Sequence, residues 1–211
     1  MSLAGHKNVT LPENFSIPTL PTVVLRIGTI LKDPNAGVRE VADVVAEDAA
    51  LAAKVLKIAN SAFYGLRTPC ISTQQAATVL GLQVLRSVVM QASVIGQYDH
   101  LAGTGFDVDG LWKGSIATAQ ACQFFARRCK RKLELSPEEL YVCGLLHNLG
   151  QMVLLDNLKQ DYVDIVRESE SKQLPVHVVE GQHLGFDHTD VGQKVAMRWG
   201  LPPAIISAIQ F

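Results

Sequence analysis

Apolar residues recur at helical spacing along nearly the whole chain. In 20-LPTVVLRIGTILK-32, Val24, Leu25, Ile27, Gly28 and Leu31 make one stripe. Pro21 falls in the first turn, where a missing N–H costs nothing. The turn 33-DPNAG-37 ends that helix. Two more are predicted, over about 38–46 (Val38, Val41, Val44, Val45) and about 49–60 (Leu51, Val55, Leu56, Ile58). Ser72 and Gln75 read as a capping box opening the segment 72–81. Gly81 closes it, and another helix runs over 82–98.

In the C-terminal half a long helix is expected over about 109–131, with Leu111, Ile116, Ala119, Phe124 and Phe125 on it. Ser136, Pro137 and Glu139 then supply a cap, a first-turn proline and a capping-box acid. The helix they open is apolar and continuous through 144-GLLHNLGQMVLL-155. Shorter helices follow at about 159–171, 175–184 and 188–199. Gly200 and Pro202 terminate the last of these, and a final helix starts near Pro203. No stretch alternates with the period of a strand and no fixed-length repeat occurs, so the fold class is all-α. The stretch 99-DHLAGTGFDVDG-110 is the expected boundary between an N-terminal helical subdomain, 15–98, and a C-terminal bundle, 107–211. Its aspartates do not have the spacing of an EF-hand loop. The chain stops at 208-AIQF-211 inside an apparent helix, so an incomplete C-terminal end is expected.

Composition narrows the function classes. With 211 residues, 48% apolar and 18% charged, the chain can bury a core and does not resemble a disordered segment. A net charge of −1 gives no bulk attraction for a nucleic-acid backbone. The one basic run, 127-RRCKRK-132, meets Glu134, Glu138 and Glu139 at once and reads as a solvated helix end. A nucleic-acid partner is therefore not expected. Cys70, Cys122, Cys129 and Cys143 form no CxxC pair, and buried free thiols in a reducing cytosol account for them most simply. No run is apolar for the ~18 to 20 residues that cross a membrane, and no N-terminal segment has the basic-then-apolar form expected of a signal peptide. A cytoplasmic location is expected.

Three places set polar residues in apolar surroundings. His147-Asn148 lies among Leu145, Leu146, Leu149, Val153 and Leu154. Such a pair is either a metal site with an amide in place of a carboxylate or a buried histidine donating to a backbone carbonyl on a neighbouring helix. The residues alone favour the second. In 180-EGQHLGFDHTDVG-192, His183, His188, Glu180, Asp187 and Asp190 could hold a divalent cation, or could make a capped helix–turn–helix corner. In 111-LWKGSIATAQA-121, Gly114 costs ~1 kcal/mol relative to alanine in a helix. It either permits close helix approach or marks a lost larger side chain. Cys143 and His147, one turn apart, lack any sign of an oxyanion hole, and core packing explains them better.

Six segments together resemble the HDOD domain, a bacterial signalling module related to the HD-type metal phosphohydrolases. They are 18-PTLPTVVLRI-27, 47-EDAALAAKVLKIANSAFYG-65, 76-AATVLGLQVLRS-87, 112-WKGSIATA-119, 140-LYVCGLLHNLGQMVL-154 and 185-GFDHTDVGQKVAMRWGLPPAIISAI-209. The run Ala-Asn-Ser-Ala-Phe-Tyr-Gly is the most specific. The resemblance implies a multi-helix N-terminal subdomain packed on an HD-like bundle. It also implies a role in signal transduction beside receiver, cyclic-di-GMP or kinase modules.

The catalytic relatives hold divalent metal with a histidine early in the helix after the boundary, then His-Asp, then further histidines or aspartates. At the matching positions this chain has Gly114 and His147-Asn148, and Gln151 stands where a lysine is usual. His188 with Gly192 matches the histidine-x-x-x-glycine element of the HD-GYP phosphodiesterases. Their next histidine pair would come just after Ile209. His147 and His188 are thus vestigial candidates, with His183, Asp187 and Asp190 as substitutes that an altered metal site would need.

The expectation is a non-catalytic regulatory module with no resident cofactor and no catalytic residue. The alternative is a metal-dependent phosphohydrolase or cyclic-dinucleotide phosphodiesterase with a changed ligand set. A groove between the halves, with Asn60, Ser61 and Tyr64 near it, is the expected place for a ligand or partner. Helix capping by Asn60 and Gly65 explains those residues equally well.

Overall fold

The computed structural model describes residues 11–12, 15–30, 33, 36–61, 65–131 and 133–210, with Gln83 described by its backbone alone. Leu31, Tyr64 and Lys132, named above, lie outside the described residues. Eleven α-helices and no strand occur among the described residues. The fold is all-α, as the periodicity predicts.

The chain divides into two compact units, one formed by Leu20–Asp99 and the other by Met1–Thr19 with His100–Phe211. The first contains α1 (Thr22–Ile30), α2 (Val38–Ala46), α3 (Ala49–Ala59) and α4 (Thr73–Gly96). Val41, Val45, Val55, Ala59, Ala76, Ala77 and Leu85 are fully buried in its core. Each buried valine or leucine contributes roughly 1.5–3 kcal/mol. Ile27 joins that core, whereas Leu25, expected on the same stripe, is exposed. Ser72 caps α4 by accepting from the Gln75 N–H. The Gln75 side chain reaches back to the Ile71 N–H, one residue beyond the box position. Gly81, at φ 75° and ψ 162°, bends α4 where the sequence placed a helix end.

The second unit contains α5 (Val108–Arg128), α6 (Pro137–Leu146), α7 (Leu149–Leu158), α8 (Gln160–Lys172), α9 (Val176–Leu184), α10 (His188–Arg198) and α11 (Pro203–Ile209). Ser136 and Glu139 form the expected capping box of α6. Asp187 and Asp190 form that of α10. Residues 15–18 also belong here. The Phe15 ring packs edge-on to Phe186, with centroids 6.2 Å apart. Asn157 brackets the Ser16 backbone with two hydrogen bonds, and the Trp199 indole N–H donates to the Pro18 carbonyl at 2.9 Å.

One helix departs from expectation. The apolar segment carrying His147-Asn148 is two helices, α6 and α7, joined by a turn at that pair. Asn148 adopts φ −98° and ψ 11°, in the bridge region. Each side of the turn packs against a different partner. A Cβ on Gly144 would sit 2.7 Å from the Ala119 Cα of α5. A Cβ on Gly150 would overlap the His188 carbonyl oxygen of α10 and lie 2.9 Å from the Gly192 nitrogen. Both glycines therefore mark backbone-to-backbone crossings. A straight helix would have to serve two partners along one line, and the turn gives each crossing its own direction.

Candidate functional site

α5 and α6 run antiparallel. Arg127 pairs with Glu138 at 3.0 Å near their connection, and Gly144 meets Ala119 further along. That register carries His147 and Asn148 to the level of Ser115 and Ile116. Ser115 is fully buried and its hydroxyl has no hydrogen-bond partner among the described residues. Gly114 lies one residue round the helix on the solvent side, and a Cβ there would meet nothing within 4 Å.

His147 is half-buried and is the C-cap of α6. Its Nδ1 is 2.8 Å from the Gly144 carbonyl oxygen. A carbonyl only accepts, so Nδ1 carries the proton and donates. Asn148 begins α7 without a side-chain capping bond. Gln151 sits half-buried in the first turn of α7, its N–H donating to the Asn148 carbonyl. The carbonyl that His147 meets is one turn back on its own helix, not on a neighbouring one, and the bond leaves Nε2 out. Cys143, one turn before, is buried, and burial with the nearby Cys122 and Glu139 pushes its thiol up to about 11. That thiol is not an activated nucleophile. Cys70 is buried as expected of a free thiol, but Cys129 is exposed at the end of α5.

The most connected polar group is Glu180 on α9. It is fully buried. One carboxylate oxygen accepts from the Tyr162 hydroxyl at 2.7 Å. The other accepts from the His188 backbone N–H at 2.9 Å and faces His188 Nδ1 at 2.7 Å. Burial, and then the adjacent carboxylate, push the Tyr162 hydroxyl up, so it stays a donor. α9 and α10 are thus tied across the Gly185 turn by one carboxylate. The sequence placed Glu180 among five possible ligands but gave no reason to single it out as the partner of His188. Its position after the apolar Val178-Val179, eight residues before His188, is the signal that was there.

The substitutes proposed for a changed ligand set are engaged elsewhere. Asp187 Oδ1 accepts from the N–H and hydroxyl of Thr189 and from the Asp190 N–H, and Asp190 returns the cap to the Asp187 N–H. Burial pushes the Asp187 carboxyl up, but these hydrogen bonds and the charge of His188 outweigh it and leave it below its ordinary value. His183 is half-exposed and pairs with Glu168 of α8 at 2.9 Å. No group of three or more His, Cys, Asp or Glu side chains able to hold a metal ion occurs among the described residues. A divalent site needs three or four such ligands, so this donor set does not fit one.

In the Leu20–Asp99 unit, Asn60 is exposed but its amide is occupied. It donates to the Cys70 carbonyl at 2.9 Å and accepts from the Cys70 N–H at 2.7 Å, clasping the loop between them. The Ser61 N–H donates to the Ile58 carbonyl, ending α3. In the basic run, Arg127 is held by Glu138 and Arg128 stacks on Phe124, its guanidinium carbon 3.6 Å from the ring centre.

These features define an all-helical module with a half-buried histidine at one helix junction and a histidine-x-x-x-glycine start on another helix. The family model of the HDOD domain matches residues 17–211, and the chain belongs to that family. An HDOD domain protein of unknown function from Geobacter sulfurreducens is 30% identical, with a TM-score of 0.80 over 92% of this chain and 64% of its own. A candidate phosphohydrolase from Shewanella amazonensis is 27% identical, with a TM-score of 0.74 over 91% of this chain and 66% of its own. An uncharacterized protein of Treponema pallidum is 26% identical over 195 residues, which are 92% of this chain and 37% of that one. The chain therefore spans under two thirds of the Geobacter protein and little more than a third of the Treponema one. No single helix among the described residues is long and apolar enough to cross a membrane.

Proposed function

We propose that this HDOD module is a non-catalytic regulator of bacterial signal transduction, acting in the cytoplasm through protein or ligand contacts and using no metal. The observation that supports it most is the fate of the donor groups. Asp187 and Asp190 are spent on a helix cap and His183 on Glu168, and no group of three or more His, Cys, Asp or Glu side chains that could hold a metal occurs among the described residues. Gly114 and Asn148 offer no charge where metal-holding relatives place ligands. Partner modules of the receiver, cyclic-di-GMP or kinase type fit a chain that covers only part of its relatives.

A second reading has one observation in its favour. A histidine whose Nδ1 faces a buried carboxylate is the usual arrangement of an oriented metal ligand. His188 with Glu180 has that form. On this reading the chain is a metal-dependent phosphohydrolase or cyclic-dinucleotide phosphodiesterase with an altered ligand set. Elemental analysis of the purified chain, dialysed without chelator, separates the two. Substoichiometric manganese, iron, nickel and zinc agree with the regulatory reading. One or two equivalents, lost on His147→Ala or His188→Ala, refute it.

A further inference from the structure

α5 turns one face to the protein and leaves the opposite one bare. Trp112, Ser115 and Ala119 are buried on the inner side. Gly110, Gly114, Ala117, Ala121, Phe124 and Arg128, spaced three or four apart, line the outer side at 3.6 residues per turn. All but Gly110 are exposed. Phe124 is 49% exposed and Phe125 beside it 69%, their rings meeting edge to face at 5.5 Å. Two adjacent aromatic rings in water on one helix face need a reason beyond the fold.

We infer that this face of α5 is the seat of a second copy of the chain, packed antiparallel about a twofold axis at the level of Ala119. The stripe is graded, with glycine and alanine in its first half and phenylalanine and arginine in its second. Antiparallel pairing lays each copy's large half on the other's small half. Phe124 comes over Gly114, where there is open space. Ala117 meets Ala121, and Arg128 comes over Gly110. Small residues at the crossing allow the axes to approach to the low end of the ~8–10 Å range of packed helices.

Charge is graded in the same way. Asp107 and Asp109 lie at the start of α5 with the exposed Lys113 one turn further in, and Arg128, Lys130 and Arg131 lie at its end, so the balance runs from acidic to basic. Asp107 caps Gly110, so an Arg128 arriving from the other copy finds a carboxylate beside it. An acidic foreign helix would satisfy only the end of the stripe, and a basic one only its start. A twofold copy satisfies both, because each contact is made twice with the roles exchanged. The pairing is independent of the metal question above.

Sedimentation equilibrium on the 211-residue chain is the test. The expected species has twice the 22.9 kDa of the single chain. Phe124→Glu and Gly114→Trp should each return it to a monomer with unchanged helical circular dichroism, since both positions face water in the single chain. Direction is read by cysteine crosslinking with Cys122 and Cys129 replaced by serine. Ala117→Cys chains mixed with Ala121→Cys chains should crosslink to each other in preference to themselves. A monomer at every concentration overturns the proposal. So does a dimer indifferent to both substitutions, or one that crosslinks each variant to itself.

Discussion

Replacing Glu180 with leucine removes the acceptor of three buried hydrogen bonds and leaves their donors, the Tyr162 hydroxyl and the His188 N–H and Nδ1, without a partner. Bonds to a charged group are worth about 1.5–3 kcal/mol each, and an orphaned buried donor costs about 1–3 kcal/mol. Leucine recovers part of this because no carboxylate need be desolvated. The net loss expected for breaking such a buried set from one side is about 3–5 kcal/mol. Tyr162→Phe alone should cost about 1–2 kcal/mol, since Glu180 keeps its bonds to His188. In the double variant the tyrosine hydroxyl is gone and cannot be orphaned. The combined loss should then fall short of the sum by at least ~1 kcal/mol. Urea unfolding followed by tryptophan fluorescence measures this, because Trp112 and Trp199 both lie in the unit that contains Glu180. Losses that add to within ~0.5 kcal/mol would mean that the two side chains do not share the carboxylate.

Two glycines should respond to alanine with opposite signs. Gly150→Ala forces a methyl group into the backbone of α10 and should cost at least the ~1–3 kcal/mol of an overpacked core. Gly181→Ala, exposed on α9 with nothing within 4 Å of the new carbon, should gain about 0.5–1 kcal/mol; thermal melts decide both. Asp187 titrates below its ordinary value in the folded chain, so its contribution is present above the unfolded value and fades as pH falls through the folded one. Asp187→Ala should cost ~1 kcal/mol at neutral pH and less as acid is added, as followed by urea titrations across pH 2–7.

Helix content was legible because capping residues and apolar periodicity agreed. Ser136 with Glu139 and Asp187 with Asp190 start helices where the sequence placed them, and Gly81 breaks one where it should. The turn at His147-Asn148 was not legible. Leucines flank it on both sides, so periodicity continues through it. Its cause is a pair of crossings, Gly144 on Ala119 and Gly150 on His188, that involve residues far off in sequence. At the candidate site, the sequence identified His188 and its neighbours but could not say which acid it faces. Glu180, Asp187 and Asp190 are all within reach by spacing. The αL turn at Gly185 folds α9 back so that Glu180 meets the imidazole. Asn60 was ambiguous for the same reason, because its partner, Cys70, lies across a loop that no local pattern describes.

Phe15, Ser16 and Pro18 are held by Phe186, Asn157 and Trp199, up to 181 positions further along the chain. On the ribosome this stretch emerges before the Leu20–Asp99 unit, yet nothing to hold it exists until α7, α10 and the 185–187 turn have been made. The intervening unit can collapse on its own local contacts while synthesis continues. Residues 15–18 are therefore among the earliest described residues to be synthesised and among the last to be seated. Their docking is a long-range closure across a unit that has its own local core.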